Sequence, residues 1–119
     1  MILFGHRGAK AEAPENTVAG FAYARGIGVD AFEFDLHLSA DDQIVVIHDP
    51  TVDRTTNGSG PVASFTAAAL AALGARAAFP DWPERCGVPL LTEVLPVLQG
   101  VAKLEIEIKT DTPERLARL

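Results

Sequence analysis

Residues 29–38, VDAFEFDLHL, alternate between two kinds of side chain: Ala31, Glu33, Asp35 and His37 fall on one side, Phe32, Phe34, Leu36 and Leu38 on the other. A period of two predicts a strand with a polar and an apolar face. KLEIEIK at 103–109 repeats the pattern, with Leu104, Ile106 and Ile108 opposite Glu105, Glu107 and Lys109. IVVIH at 44–48 is a continuous β-branched run and reads as a buried strand, and the apolar start predicts a fourth strand over 2–5. Helical spacing of Val18, Phe21, Ala22 and Arg25, followed by Gly26 and Gly28, predicts a helix over 15–25. An alanine-rich segment predicts another over 65–73, and a third is expected over 92–98, limited by Pro96. Residues 49–63 read as a long polar loop and 74–90 as irregular. No internal repeat is present.

The order β-α-β-β-(α)-α-β-α argues for an α/β sheet. Two strands carry acids on one face, whereas a doubly wound sheet is covered by helices on both. In a barrel, polar inward residues near the strand ends form the site. Only Ser39 to Gln43 separate the second and third strands, too few for a parallel crossover, so the two must pair as a hairpin. A turn centred between Ala40 and Asp41 sets Glu33 opposite His48 and Asp35 opposite Val46, which would stand His48 beside both acids. A one-residue slip would undo this.

The chain has 119 residues, 48% of them hydrophobic and 22% charged, which suits one small globular domain. A net charge of −6 and the lack of a basic run argue against a nucleic-acid partner. The single cysteine, Cys86, excludes an intrachain disulfide and reads as a bystander thiol. No apolar stretch is long enough to span a membrane, and Met1 leads directly into structure without a signal sequence. The expectation is a cytoplasmic protein. Asp111-Thr112-Pro113-Glu114 reads as a helix start just before the last residue, Leu119, which points to an incomplete chain.

The first strand ends in Gly-His-Arg-Gly. Neighbouring residues of a strand face opposite ways, so His6 and Arg7 serve one site only where the strand ends and the chain turns. Glu33 and Asp35 on one buried face demand a positive partner. Either Glu105 or Glu107 is placed to join them. Three carboxylates without nitrogen or sulfur ligands suit a hard cation, Mg²⁺ or Ca²⁺. Arg7 and Lys109 would hold an anionic group, the guanidinium matching a phosphate. His6 and His48 form a ready acid–base pair. His37 continues the acid face but lies towards the turn, away from this cluster.

The set His6-Arg7-Gly8, Pro14-Glu15-Asn16-Thr17, Glu33-x-Asp35, His48-Asp49-Pro50-Thr51, Asp53-Arg54-Thr55-Thr56-x-Gly58-x-Gly60 and Glu107-Ile108-Lys109 resembles the glycerophosphodiester phosphodiesterase family over nearly the whole chain. The resemblance implies a TIM (β/α)8 barrel and metal-dependent hydrolysis of small-molecule glycerophosphodiesters to glycerol 3-phosphate and an alcohol. It assigns His6 and His48 as the acid–base pair, Glu33, Asp35 and Glu107 as metal carboxylates, and Arg7 and Lys109 as phosphate-holding residues. The reaction it implies runs through a cyclic phosphate formed by the glycerol 2-hydroxyl. Glu15 is expected either to hold Arg7 or a site histidine or to cap the helix, and Arg54 to pin its loop.

Such a barrel typically needs about 250 residues. Four strands make only its N-terminal half, so residues 1–119 are expected to be the first half of the domain. Open sheet edges and an uncovered apolar face predict a homodimer or a missing C-terminal half. The alternatives are phospholipase-D-like action on lysophospholipids, and an inactive fragment that assembles or binds metal or phosphate.

Overall fold

The computed structural model describes residues 4–8, 10, 12–83 and 85–109. The helix expected from Asp111 onward and the strand positions before Phe4 lie outside these residues. The elements are β1 (Phe4–His6), α1 (Val18–Gly26), β2 (Ala31–Leu38), β3 (Ile44–Val46), a 3-10 turn (Val62–Ser64), α2 (Ala67–Ala72), α3 (Leu91–Val94) and β4 (Lys103–Ile108). Among the described residues no helix is long and apolar enough to cross a membrane.

Strand β2 is the centre of the sheet. One of its edges is taken wholly by β4, parallel, from Ala31↔Lys103 to Leu36↔Ile108. The other edge is shared in succession. Parallel β1 takes the first part, Phe4↔Ala31 to His6↔Glu33. Antiparallel β3 takes the last part, Leu36↔Val46 to Leu38↔Ile44. The expected hairpin therefore forms, but its opposed positions are shifted by one residue. Asp35 stands opposite Ile47, whose N–H donates to the Asp35 carbonyl at 3.1 Å. The predicted pairing of Glu33 with His48 and Asp35 with Val46 does not occur.

The turn explains the shift. Asp42 adopts φ +58°, a left-handed conformation that Asp tolerates better than most residues. The five-residue connection, Ser39 to Gln43, is thereby centred on Asp41, and it is closed by Ser39 N–H to the Gln43 carbonyl at 3.0 Å. The Ser39 hydroxyl accepts from the Gln43 N–H at 3.0 Å and fixes the loop further.

Apolar residues of β2 and β3 build the main core. Phe32, Phe34, Leu36 and Val46 pack against Phe21 and Ala24 of α1 and against Val94 and Leu98. Phe21 meets Phe32 and Phe34 edge-on, with ring centroids 5.7 and 5.5 Å apart. A second cluster of Val45, Ile47, Val52, Val62, Leu70 and Val88 lies on the other face of β3. It anchors the 49–63 loop, which is ordered by mutual bonds such as Val62 N–H to the Pro50 carbonyl at 2.8 Å.

Helix α1 begins at Val18 rather than Glu15, because Asn16 is left-handed at φ +52°. Thr17 caps it, accepting from Gly20 N–H at 2.9 Å while its hydroxyl donates to the Pro14 carbonyl at 2.9 Å. Helix α3 is a single turn ending before Pro96, as that proline's missing donor requires. Strand β4 continues the apolar face of β2, but nothing covers it among the described residues: Leu104, Ile106 and Ile108 are all exposed.

Candidate active site

The odd-numbered face of β2 organises the site. In-register pairing sets His6 beside Glu33, and the His6 ring Nε2 lies 3.1 Å from Glu33 Oε1. Arg7 then turns the chain at φ +54°, a conformation costing a non-glycine residue about 1–3 kcal/mol. Two bonds hold that turn: Arg7 N–H donates to the Glu33 carbonyl at 2.6 Å, and the Arg7 carbonyl accepts from Asn16 N–H at 2.8 Å. The left-handed turn is how adjacent His6 and Arg7 both serve one cluster. Gly5 permits it, since a Cβ there would sit 2.5 Å from the Gly8 carbonyl oxygen and 2.9 Å from the Phe32 ring.

Asp35 is buried between two cations. Arg7 Nε lies 3.9 Å from its Oδ2 and Lys109 Nζ 3.9 Å from its Oδ1. Both distances are too long for hydrogen bonds, so the attraction is electrostatic. Arg7 Nε is buried without a hydrogen-bond partner, as are both polar atoms of the Asn16 side chain. Glu107 is the β4 register partner of Asp35, and its carboxylate pairs with Lys109 at 3.0 Å. Glu105, in register with Glu33, pairs with Lys103 at 3.1 Å.

Among the described residues, no three His, Cys, Asp or Glu side chains converge closely enough to hold a metal ion. Each carboxylate is turned to a protein partner instead. The donor chemistry nonetheless suits a hard cation: Glu33, Asp35 and Glu107 are all oxygen ligands on one face of adjacent strands.

His48 lies past the end of β3, so strand pairing does not bring it to the acids. Two other contacts hold it. The buried His37 ring donates through Nε2 to the His48 carbonyl at 3.0 Å. Burial lowers the His37 pKa below its ordinary value, against the opposing effects of that bond and of the Asp35 charge. The His48 ring Nδ1 lies 2.7 Å from Asp49 Oδ1. Asp49 is in turn gripped by Arg54, Nε to Oδ2 at 2.8 Å and Nη2 to Oδ1 at 3.0 Å. The adjacent edge of the same guanidinium, sharing Nη2, holds Glu15, Nη1 to Oε1 and Nη2 to Oε2, both at 2.8 Å. Glu15 also lies 3.5 Å from Arg7.

The Arg54 bonds, with help from His48, hold the Asp49 carboxyl down at about 2. Burial would raise Glu15, but the bonds and charge of Arg54, with the charge of Arg7, keep it below its ordinary value. Arg54 is raised by Glu15 first and Asp49 second. Lys109, Asp35, Arg7, Glu15, Arg54 and Asp49 thus form one chain of alternating charge that ends against the His48 ring. Sequence reasoning did not find the Asp49–His48 contact, although the His-Asp dipeptide carried the signal. It had Arg54 pinning its loop, but not the fork to Glu15, 39 positions away.

A mainly parallel sheet whose acids and cations gather towards the strand ends, opposite a face packed on helices, defines part of an α/β barrel. The chain belongs to the glycerophosphoryl diester phosphodiesterase family, whose family model matches residues 6–118. YhdW of Bacillus subtilis (strain 168) is 44% identical over 109 residues, and the glycerophosphodiester phosphodiesterase of Caldanaerobacter subterraneus 41% over 110. Each alignment covers 92% of this chain and 45% of the relative. A crystal structure of the Agrobacterium tumefaciens enzyme of the same name matches the whole chain at 41% identity and TM-score 0.86, over 52% of its own length. An Oleispira antarctica phosphodiesterase, solved with its product sn-glycerol-3-phosphate, matches 91% of this chain and 45% of its own at 31% identity and TM-score 0.81. The chain therefore spans about half the length of these relatives, and its four strands are a partial barrel.

Proposed function

We propose that this chain carries the acid–base and phosphate-holding residues of an enzyme that hydrolyses glycerophosphodiesters to glycerol 3-phosphate and an alcohol. The observation that carries the reading is the gathering of His6, Arg7, Glu33, Asp35, Glu107 and Lys109 on one sheet face. Arg7 and Lys109 are the cations that flank Asp35 on that face, and they hold the anionic phosphate. The glycerol 2-hydroxyl attacks phosphorus, and its tether makes the step intramolecular. One of His6 and His48 takes that hydroxyl's proton, and the other protonates the departing alcohol. Water then opens the cyclic phosphate with the roles reversed. Glu33, Asp35 and Glu107 would hold a divalent cation, Mg²⁺ or Ca²⁺, once they turn from their present partners. When bound, it supplies positive charge for the phosphoryl oxygens.

The test is release of glycerol 3-phosphate from glycerophosphocholine by the 119-residue chain with Mg²⁺ or Ca²⁺. The expected result is turnover abolished by EDTA and by His48→Ala. Turnover that survives His48→Ala would remove the acid–base assignment. Folded chain that neither hydrolyses the diester nor binds glycerol 3-phosphate would overturn the reading.

A further inference from the structure

We propose that Arg54 is a positioning residue for His48, acting through Asp49 to fix which ring nitrogen is available for proton transfer. The inference rests on the reading of His48 as an acid–base group. The Asp49 carboxylate is an acceptor, so the 2.7 Å contact requires the proton on His48 Nδ1 and leaves Nε2 as the working nitrogen. Asp49 by itself is a loop carboxylate with rotational freedom. Arg54 removes that freedom by taking both of its oxygens. Arg54 is immobilised in its turn by two hydrogen bonds to Glu15, which is partly buried beside Arg7.

The arrangement needs a guanidinium. Four hydrogen bonds leave Nε, Nη1 and Nη2 towards two carboxylates on adjacent edges of one plane that share Nη2, and an ammonium has no such fork. Exposure decides between a stabilising and an orienting role. The Arg54 side chain is 48% exposed, where ion pairs contribute little to stability. What the pairing provides at such a position is direction. The His48 backbone is fixed separately by His37, so the Asp49–Arg54 arm is left to set the ring.

The experiment reads the His48 tautomer from long-range ¹H–¹⁵N spectra of the ¹⁵N-labelled chain, above the pH at which the ring titrates. The native chain is expected to show the Nδ1–H form alone. Arg54→Gln should convert it to a mixture of both tautomers, Asp49→Ala should do the same, and Arg54→Lys should fall between. Glu15→Gln, which keeps Arg54 but weakens its anchor, should shift the ring in the same direction by less. In any parent with turnover, Arg54→Gln should lower kcat by about 10- to 100-fold with little change in KM, the size typical of losing a group that orients a site histidine. A wholly Nδ1–H ring in both folded Arg54→Gln and Glu15→Gln chains would overturn the proposal and leave Arg54 as a loop pin. A tautomer shift without diester hydrolysis in any chain would sustain it while removing the reading of function.

Discussion

Gly20→Ala tests the packing that sets Glu15 in place. In an ordinary helix this change stabilises by about 1 kcal/mol, because alanine has the better helix propensity. Here the added Cβ would lie 2.2 Å from the Pro14 carbonyl oxygen and 3.3 Å from its carbon. Ordinary contact begins near 3.4 Å, so α1 and the Pro14 segment must separate by 3.4 − 2.2 = 1.2 Å. The obstruction is backbone and cannot turn aside. Overpacking of this kind costs about 1–3 kcal/mol. The same oxygen accepts from the Thr17 hydroxyl, a bond contributing about 1 kcal/mol. The costs outweigh the propensity gain, and the net expectation is a loss of about 1–3 kcal/mol. Gly26 supplies the control: it ends the same helix with nothing within 4 Å of its added Cβ. Gly26→Ala should be neutral or stabilise by up to about 1 kcal/mol. Equilibrium urea unfolding followed by far-UV circular dichroism reads both variants. A Gly20→Ala chain as stable as the Gly26→Ala chain would refute the reasoning. Since Glu15 follows Pro14 directly, the same displacement moves the anchor of Arg54.

Phe34 and Ile106 are register partners on one face of the sheet, yet Phe34 is fully buried and Ile106 is 41% exposed. Phe34→Ala should cost about 3–5 kcal/mol in urea unfolding, whereas Ile106→Ala should stay within about 0.5 kcal/mol. Stability should also fall on acidification in two stages. His37 has a lowered folded pKa, so the unfolded chain takes up that proton first; its contribution is complete above about 6.5 and is lost as pH falls below it. His37→Gln should flatten that stage in urea midpoints measured against pH. Asp49 is held at about 2 against an ordinary 3.8, so its contribution is present above 3.8 and lost as pH falls through about 2. Because Arg54 is 48% exposed, that contribution is small, and Asp49→Asn should change the acid slope only slightly.

Alternation along 29–38 and 103–109 was enough to say which side chains share a face, because a strand's period of two is a property of the backbone itself. The same rule placed His6 and Arg7 at a strand end, and turn length alone required the hairpin. The family motifs stood in the sequence for the same reason: they are short runs whose spacing is local. Register was beyond local pattern. One left-handed residue, Asp42, centred the turn on Asp41 and moved Asp35 from Val46 to Ile47, and left-handed conformations are permitted, not dictated, by residue type. With the register went the predicted strand pairing of His48 with Glu33. What holds His48 instead is His37 from β2 and Asp49 under Arg54, itself anchored to Glu15 at the head of α1. Those partners come from segments far apart in the chain. A hydrogen bond of 2.8 Å across 39 residues depends on how α1 and the loop after β3 pack on the same sheet. Residue types made each bond possible, and only the packed fold chose which of them formed.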